Sequence, residues 1–290
     1  MSRWPFAQLR IHCEAQRRIP VAFTGSLIRG AIGANLSGAT GLWSRLFGGS
    51  PCTRQFALVP PAKLEKGPFS FDVKLLALPI EIFPCLLESM AAMGGPGMGG
   101  ERLGIAVRRI ESLAPGGAEG VQVLGPEGGP FPEKIQTFSA ARIFDGDGPR
   151  GEEECPGETR RITLLLKTPL RMRERGRIGG PLGPERMVRA ALRRLIDLGF
   201  AQGQSWPRAW PGVLGAASRL TLISESTRWL EWGRFSQRQG RSMRLGGWVG
   251  RVEYGAVPGG LIPLLRAAAF AHFGKNATFG LGHVEVVEAP

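Results

Sequence analysis

The segments Arg161–Thr168, "RITLLLKT", and Pro184–Leu198, "PERMVRAALRRLIDL", decide the fold. The first is a short apolar run of strand length. The second places Val188, Ala191, Leu192 and Leu195 on one helical side, with Arg186, Arg189 and Arg193 three and four residues apart on another. Strand then helix opens a β-α-β unit, and the residues that follow complete it. Arg219–Trp229 and Leu245–Tyr254 read as strands, Gly260–Phe273 as a helix, and Gly282–Val287 as a closing strand. The first half has the same order. From Phe6 to Glu14, Leu9, Ile11 and Cys13 alternate with Arg10, His12 and Glu14, the period-two pattern of a half-buried strand. A helix over Thr24–Leu36 follows, then strands at Ala57–Val59 and Phe69–Ala77, a helix over "IEIFPCLLESMAAM" (80–93), and a strand at Leu103–Ser112. An α+β chain of two tandem ferredoxin-like (RRM-like, βαββαβ) domains is the economical interpretation. The domains span residues 1–143 and 161–290, and residues 144–160, rich in Gly and acidic groups, form the linker.

The 290 residues suffice for two modest domains, and 43% apolar content suits a chain that buries a core. Net charge is +13, and its distribution is lopsided: residues 159–290 hold 21 Lys/Arg against 8 Asp/Glu, whereas residues 1–150 hold 16 against 12. A basic half makes a polyanion the leading partner, nucleic acid ahead of an anionic membrane surface. Only six of the 37 cations are Lys. The planar fork of Arg suits phosphate and base edges, although a GC-rich genome also favours Arg codons. Cys13, Cys52, Cys85 and Cys155 form no C-x-x-C pair, so neither a zinc site nor a disulfide framework is indicated. Polar residues interrupt the N-terminus and Arg266 splits the run "LIPLLRAAAFAHF", so we expect no signal peptide, no membrane span and a cytoplasmic location.

Two apparent motifs fail. The G-x-G-x-x-G at Gly95, Gly97 and Gly100 follows a helix rather than a strand, which rejects a dinucleotide fingerprint. Asp145-x-Asp147-Gly148 has Pro149 at the fifth calcium-ligand position, so an exposed turn is expected. Three clusters carry more. Arg171, Arg173, Arg175 and Arg177 alternate through the loop after "RITLLLKT", beside the helical Arg186, Arg189 and Arg193. Seven cations with few carboxylates nearby indicate RNA or DNA contact over a merely solvated face. Arg234, Arg238, Arg241 and Arg244 interleave with Trp232, Phe235 and Trp248, an arrangement that suits single-stranded RNA unless the rings belong to the core. Finally, "HFGKNATFGLGHVEV" (272–286) holds Gly274, Lys275, Asn276, Thr278, Gly280 and Gly282 in a loop able to take a phosphate on backbone N–H groups and Lys275.

The successive blocks "SLIRGAIGANL", "FSFDVKLLA", "GGPGMGGERLGIAVRRIESL", "SQRQGRSMRLGGWVGRV" and "AHFGKNATFGLGHVEV" resemble those of the CRISPR-associated precursor-crRNA processing endoribonucleases of the RAMP superfamily. The likeness covers most of the chain, and its last block is the most specific. It implies binding of the CRISPR repeat in pre-crRNA and its cleavage without metal or cofactor. The ends would be 2′,3′-cyclic phosphate and 5′-hydroxyl. Possible partners are crRNA and other subunits of a CRISPR effector complex, with no membrane involved.

The family's usual first-helix histidine and nearby tyrosine have no counterpart: residues 31–40 read "AIGANLSGAT", and the sole Tyr is Tyr254. Candidate catalytic groups are therefore Arg29, Arg238, Arg241 and Arg244, with His272 at a helix end one turn before Lys275. His272 shares a face with Leu261, Leu265 and Ala268, which also suits a core histidine. His12 and His283 read as structural. An arginine stays protonated and is a poor base, so slow turnover is expected. A non-catalytic crRNA-binding subunit is the alternative.

Overall fold

The structure is a computed structural model that describes residues 5–19, 23–36, 46–47, 55–94, 104–114, 119–125, 128–138, 158–174, 176–200, 210–236 and 241–288. In the first half, β1 (Phe6–Ala15) leads to α1 (Thr24–Asn35), β2 (Phe56–Val59) and β3 (Gly67–Leu76). Then come α2 (Phe83–Ala91), β4 (Ile105–Leu113) and β5 (Gly120–Leu124). The strands form one antiparallel sheet in the order β2-β3-β1-β4-β5, the ferredoxin-like arrangement with β5 added at one edge. Alternation in β1 sends Ala7, Leu9, Ile11 and Cys13 to the face on which both helices lie. There they meet Ile28 and Ile32 of α1 and Phe83, Leu86, Leu87 and Met90 of α2.

The second half runs β6 (Thr159–Leu170), a short β-ribbon of β7 (Arg173–Glu174) and β8 (Arg177–Ile178), α3 (Pro184–Phe200), α4 (Trp210–Ser218) and β9 (Thr221–Leu230). A second ribbon, β10 (Gly233–Ser236) with β11 (Arg241–Arg244), precedes β12 (Gly247–Pro258), α5 (Ile262–Phe270) and β13 (Val284–Glu288). Its main sheet has the order β13-β6-β12-β9, again the ferredoxin-like sequence of neighbours. The apolar side of α3 is buried as its spacing predicts: Val188, Ala191, Leu192 and Leu195 are among the core residues.

Differences from the expected elements are local. Helix α4 lies between the expected helix and strand, where no element was expected, and β9 begins at Thr221 rather than Arg219. Pro211, Gly212 and Gly215 hide the helical signal, although a proline in the first turn of a helix loses no hydrogen bond. Strand β6 starts at Thr159, and residues 144–157 of the expected linker, with the Asp145–Gly148 turn, lie outside the described residues. So do Gly95, Gly97 and Gly100. No helix among the described residues is long and apolar enough to cross a membrane.

The halves share apolar surface. Phe6 at the start of β1 packs edge-on to Phe270 at the end of α5, with ring centroids 5.9 Å apart, and Phe138 closes the trio. Lys74 of β3 is sealed into this contact with its ammonium 4.9 Å from the Phe270 ring centre. Burial lowers its pKa to about 8, which Asp72 and Glu285 oppose.

Candidate nucleic-acid interface

The glycine-rich loop joining α5 to β13 folds back on itself. Phe273 donates its N–H to the Gly282 carbonyl at 2.9 Å, and a Cβ on Gly282 (φ +72°) would sit 1.9 Å from the Phe273 oxygen, so only glycine closes this turn. Gly274 lies against the Arg171 carbonyl and Gly280 against Pro60. The loop's amides are largely engaged inside the protein. Lys275 donates to the Arg171 carbonyl at 2.9 Å, Phe279 and Leu281 to that of Asn276, Gly280 to that of Ala277, and Gly282 to that of Pro169. Thr278 is buried. The surface left to a ligand is the partly exposed stretch 274–276, which makes the Lys275 side chain, more than a nest of amides, the group positioned for phosphate.

Helix α1 is clamped onto this loop. The Arg29 Nε donates to the Thr278 hydroxyl at 3.3 Å, and its guanidinium lies between the rings of Phe47 and Phe279, 4.8 and 4.4 Å from their centres. From the C-terminal sheet, the Thr168 hydroxyl donates to the Gly280 carbonyl at 2.7 Å and accepts the His283 N–H at 2.9 Å. A small apolar cluster of Phe23, Leu245, Phe279 and Leu281 brings the base of the β10–β11 ribbon to the same place, with Trp232 stacked on Phe23 at 4.3 Å.

Arg171 ties these parts together. Its carbonyl receives Lys275, and its guanidinium donates to the Gly246 carbonyl at 2.9 Å beside the ribbon. Desolvation lowers its pKa, partly offset by Glu231. In the ribbon, Arg234 pairs with Met243, Ser236 with Arg241, and Gly233 with the exposed Arg244. Arg238 and Arg175 lie outside the described residues.

The other predicted cations divide. Arg177 and Arg193 are exposed. Arg189 pairs with Glu185, Arg173 donates to the Gly176 carbonyl at 3.2 Å, and Arg186 donates to the carbonyls of Gly179 and Pro181. Arg186 therefore ties the basic loop to α3. Of the interleaved aromatics, Trp232 packs on Phe23, and Trp248 donates its indole N–H to Gly180 at 3.0 Å. Both have packing partners, and sequence alone missed Phe23, Thr168 and the carbonyl of Arg171 because nothing local marks them.

His272 has 0% exposure, donates from Nδ1 to the Leu281 carbonyl at 3.1 Å, and stacks on His283 at 5.1 Å. Burial first, then Lys74, holds its pKa well below the ordinary imidazole value, and the same two causes lower His283 to about 4. Both rings are neutral near pH 7. His272 is thus enclosed, as its shared face with Leu261 and Leu265 allows. His12 lies in the other sheet, 2.6 Å from Glu111.

A model of the family described as CRISPR-associated endoribonuclease Cas6 matches residues 164–284, which hold the loop, Arg171 and the ribbon. No curated protein matches the chain. Among solved structures, a Thermus thermophilus Cas6 is 14% identical, covering 99% of this chain and 100% of that one with a TM-score of 0.60. A second Cas6, in a product complex, is 19% identical over 98% of this chain and 99% of that one, with a TM-score of 0.59. A partial Cas6-RT-Cas1–Cas2 complex also matches at 14% identity and a TM-score of 0.60; there 98% of this chain covers 46% of the longer one. An RAMP protein that binds different RNA substrates shares the fold at 10% identity, 97% and 100% coverage and a TM-score of 0.53. The family match lies within the C-terminal half, and the solved structures show that the chain as a whole shares their fold.

Proposed function

We propose that this chain cleaves CRISPR repeat RNA in pre-crRNA without a metal ion and stays bound to the mature crRNA. The observation that carries the reading is the glycine-rich loop held between α1 and β6. Lys275 lies in its partly exposed stretch, inside the region the Cas6 family model matches, and Arg29 of α1 lies at its flank.

In this reaction the 2′-oxygen attacks the adjoining phosphorus in line, a new O–P bond forms, and the bond to the 5′-oxygen breaks. The hydroxyl proton passes to a base, and the departing oxygen takes one up. Cyclic phosphate and 5′-hydroxyl ends result. Lys275, Arg29, Arg241 and Arg244, with Arg238, supply positive charge for the phosphorane. Alignment of the strand supplies much of the rate. Arginine remains protonated, so turnover is slow. His272, enclosed and neutral, serves in this reading to hold the loop through Leu281. The exposed Arg177 and Arg193 track the RNA backbone. Partners among other CRISPR-associated subunits and a cytoplasmic setting accord with this role.

The enclosed His272 imidazole and the histidine-free α1 favour a second reading, a crRNA-binding subunit without catalysis. Labelled repeat RNA incubated with the protein in EDTA separates the two. Cleavage to cyclic phosphate supports the first, tight binding without cutting supports the second, and cutting only after magnesium is added overturns both.

A further inference from the structure

Alternation in β1 sends Gln8, Arg10, His12 and Glu14 to the sheet face that carries no helix. On that face a cavity of about 390 Å³ is bordered by His12, Glu14, Ser70, Arg108 and Arg109, among others. A bulge shapes it. His12 pairs with Arg109 and Cys13 with Val107, so Arg108 is an extra residue in β4. Successive side chains of a regular strand point to opposite faces, and the bulge lets both arginines border one cavity.

Carboxylates hold the cations and the imidazole in place. Glu14 accepts from Nε and Nη2 of Arg108 at 2.9 and 2.5 Å, and Glu111 lies 2.6 Å from His12 Nε2 and 3.3 Å from Arg109. An ionised carboxylate only accepts, so the imidazole proton sits on Nε2 and the neutral ring keeps its lone pair on Nδ1. Among the described residues no hydrogen bond reaches that Nδ1. His12 is also the imidazole a ligand can reach: its side chain is 27% exposed, whereas His272 is enclosed and His283 is stacked on it.

Two arginines matched by two carboxylates make a weak trap for phosphate alone. What the cavity adds is an oriented base beside two planar cations, the set that attack by a 2′-hydroxyl requires. We infer that it is a second RNA-cutting site, acting on single-stranded RNA, separate from the glycine-rich loop and independent of that reading. His12 Nδ1 takes the proton of a 2′-hydroxyl as its oxygen bonds to the adjoining phosphorus. The bond to the 5′-oxygen breaks, and that oxygen takes a proton from water. Arg108 and Arg109 face the phosphorane, and Glu111 is a positioning residue that also steadies the imidazolium formed. None of these groups reads a base edge in this step, so the repeat sequence is not required, and an open sheet face suits an unpaired strand.

The test is cleavage by the full chain, in EDTA, of a labelled single-stranded RNA that lacks the repeat. The wild type is expected to give 2′,3′-cyclic phosphate ends and to leave an all-2′-deoxy strand intact. His12→Ala, with an unchanged circular dichroism spectrum, should slow this cutting about 100-fold or more. Added imidazole should restore it, which a purely structural role would not allow. Glu111→Gln should slow it as well, without rescue by imidazole, and the specific cut in repeat RNA should persist in His12→Ala. A wild type that spares the non-repeat RNA overturns the inference, as does a His12→Ala protein that cuts it at the wild-type rate or that imidazole fails to restore. So does an equal loss of both cuts, which would place His12 at the repeat site instead. A protein that cuts only the non-repeat RNA, through His12, upholds the inference and overturns the glycine-loop reading.

Discussion

Gly25, in the first turn of α1, offers the sharpest test of the proposed site. A Cβ built there would lie 2.0 Å from the Phe279 carbonyl oxygen, and real Cβ contacts essentially never fall below 3.0 Å. Gly25→Ala must therefore open the helix and the glycine-rich loop by about 1 Å, since the obstructing atom is backbone and cannot swing aside. Overpacking of this kind costs roughly 1–3 kcal/mol, and in a chain of this size each kcal/mol lowers the melting temperature by about 2–4 °C. The same displacement draws Thr278 away from Arg29, whose bond is already 3.3 Å. A misplacement near 1 Å can cost about 100-fold in rate. Gly30 on the same helix is the control: a Cβ there meets nothing within 4 Å. Gly30→Ala should stabilise by roughly 0.5–1 kcal/mol and leave cleavage alone. Single-turnover cleavage of labelled repeat RNA, with thermal unfolding in parallel, reads both effects. A folded Gly25→Ala protein cutting at the wild-type rate would refute the claim that α1 positions the loop.

Three further outcomes follow from the same geometry. Lys275→Ala should weaken binding of all repeat sequences alike and reduce the salt slope of log Kd by about one, with thermal unfolding unchanged; an unaltered slope excludes the phosphate contact. Arg171→Ala removes the bond to Gly246, a charged hydrogen bond of roughly 1.5–3 kcal/mol, and should lower both melting temperature and RNA affinity. If affinity holds while stability falls, Arg171 is a tie for the protein alone. His272 and His283 are held neutral, so the unfolded chain binds more protons than the folded one below the ordinary imidazole value of 6.5. The groups facing them are Lys74, Lys167 and Arg194, with Asp72 opposing at His283. Their contribution is present above pH 6.5 and is lost as pH falls, for His283 down to about 4. His283→Asn should flatten the fall in melting temperature over that interval, and an unchanged slope would exclude it as a source.

Where burial repeats with the period of an element, the sequence announced it. The alternation of Leu9, Ile11 and Cys13 and the helical spacing of Val188, Leu192 and Leu195 reappear as buried faces of β1 and α3. Elements stabilised by context did not announce themselves. Strand β5 adds only five residues to an existing edge, and the β7–β8 and β10–β11 ribbons are built of strands only two and four residues long. The glycines at 274, 280 and 282 were legible as loop formers. What they approach was not, because the neighbours are the Arg171 carbonyl, Pro60 and the Phe273 carbonyl. An arginine count likewise cannot separate Arg186, bonded to two carbonyls of its own loop, from the exposed Arg193.

The cations proposed to meet RNA lie mostly in the C-terminal half, yet contacts from the N-terminal half fix the loop that presents Lys275. Gly25 abuts Phe279, Arg29 holds Thr278, and Phe23 carries Trp232 at the base of the arginine ribbon. Each contact joins residues more than 200 positions apart in sequence. A change in the first helix therefore reaches the proposed phosphate site through packing alone, with no titrating group of its own. In the proposed reaction, a first helix without histidine would govern the alignment of the RNA in this way. It also places Gly25 and Arg29 in one mechanical unit, so their substitutions should combine less than additively.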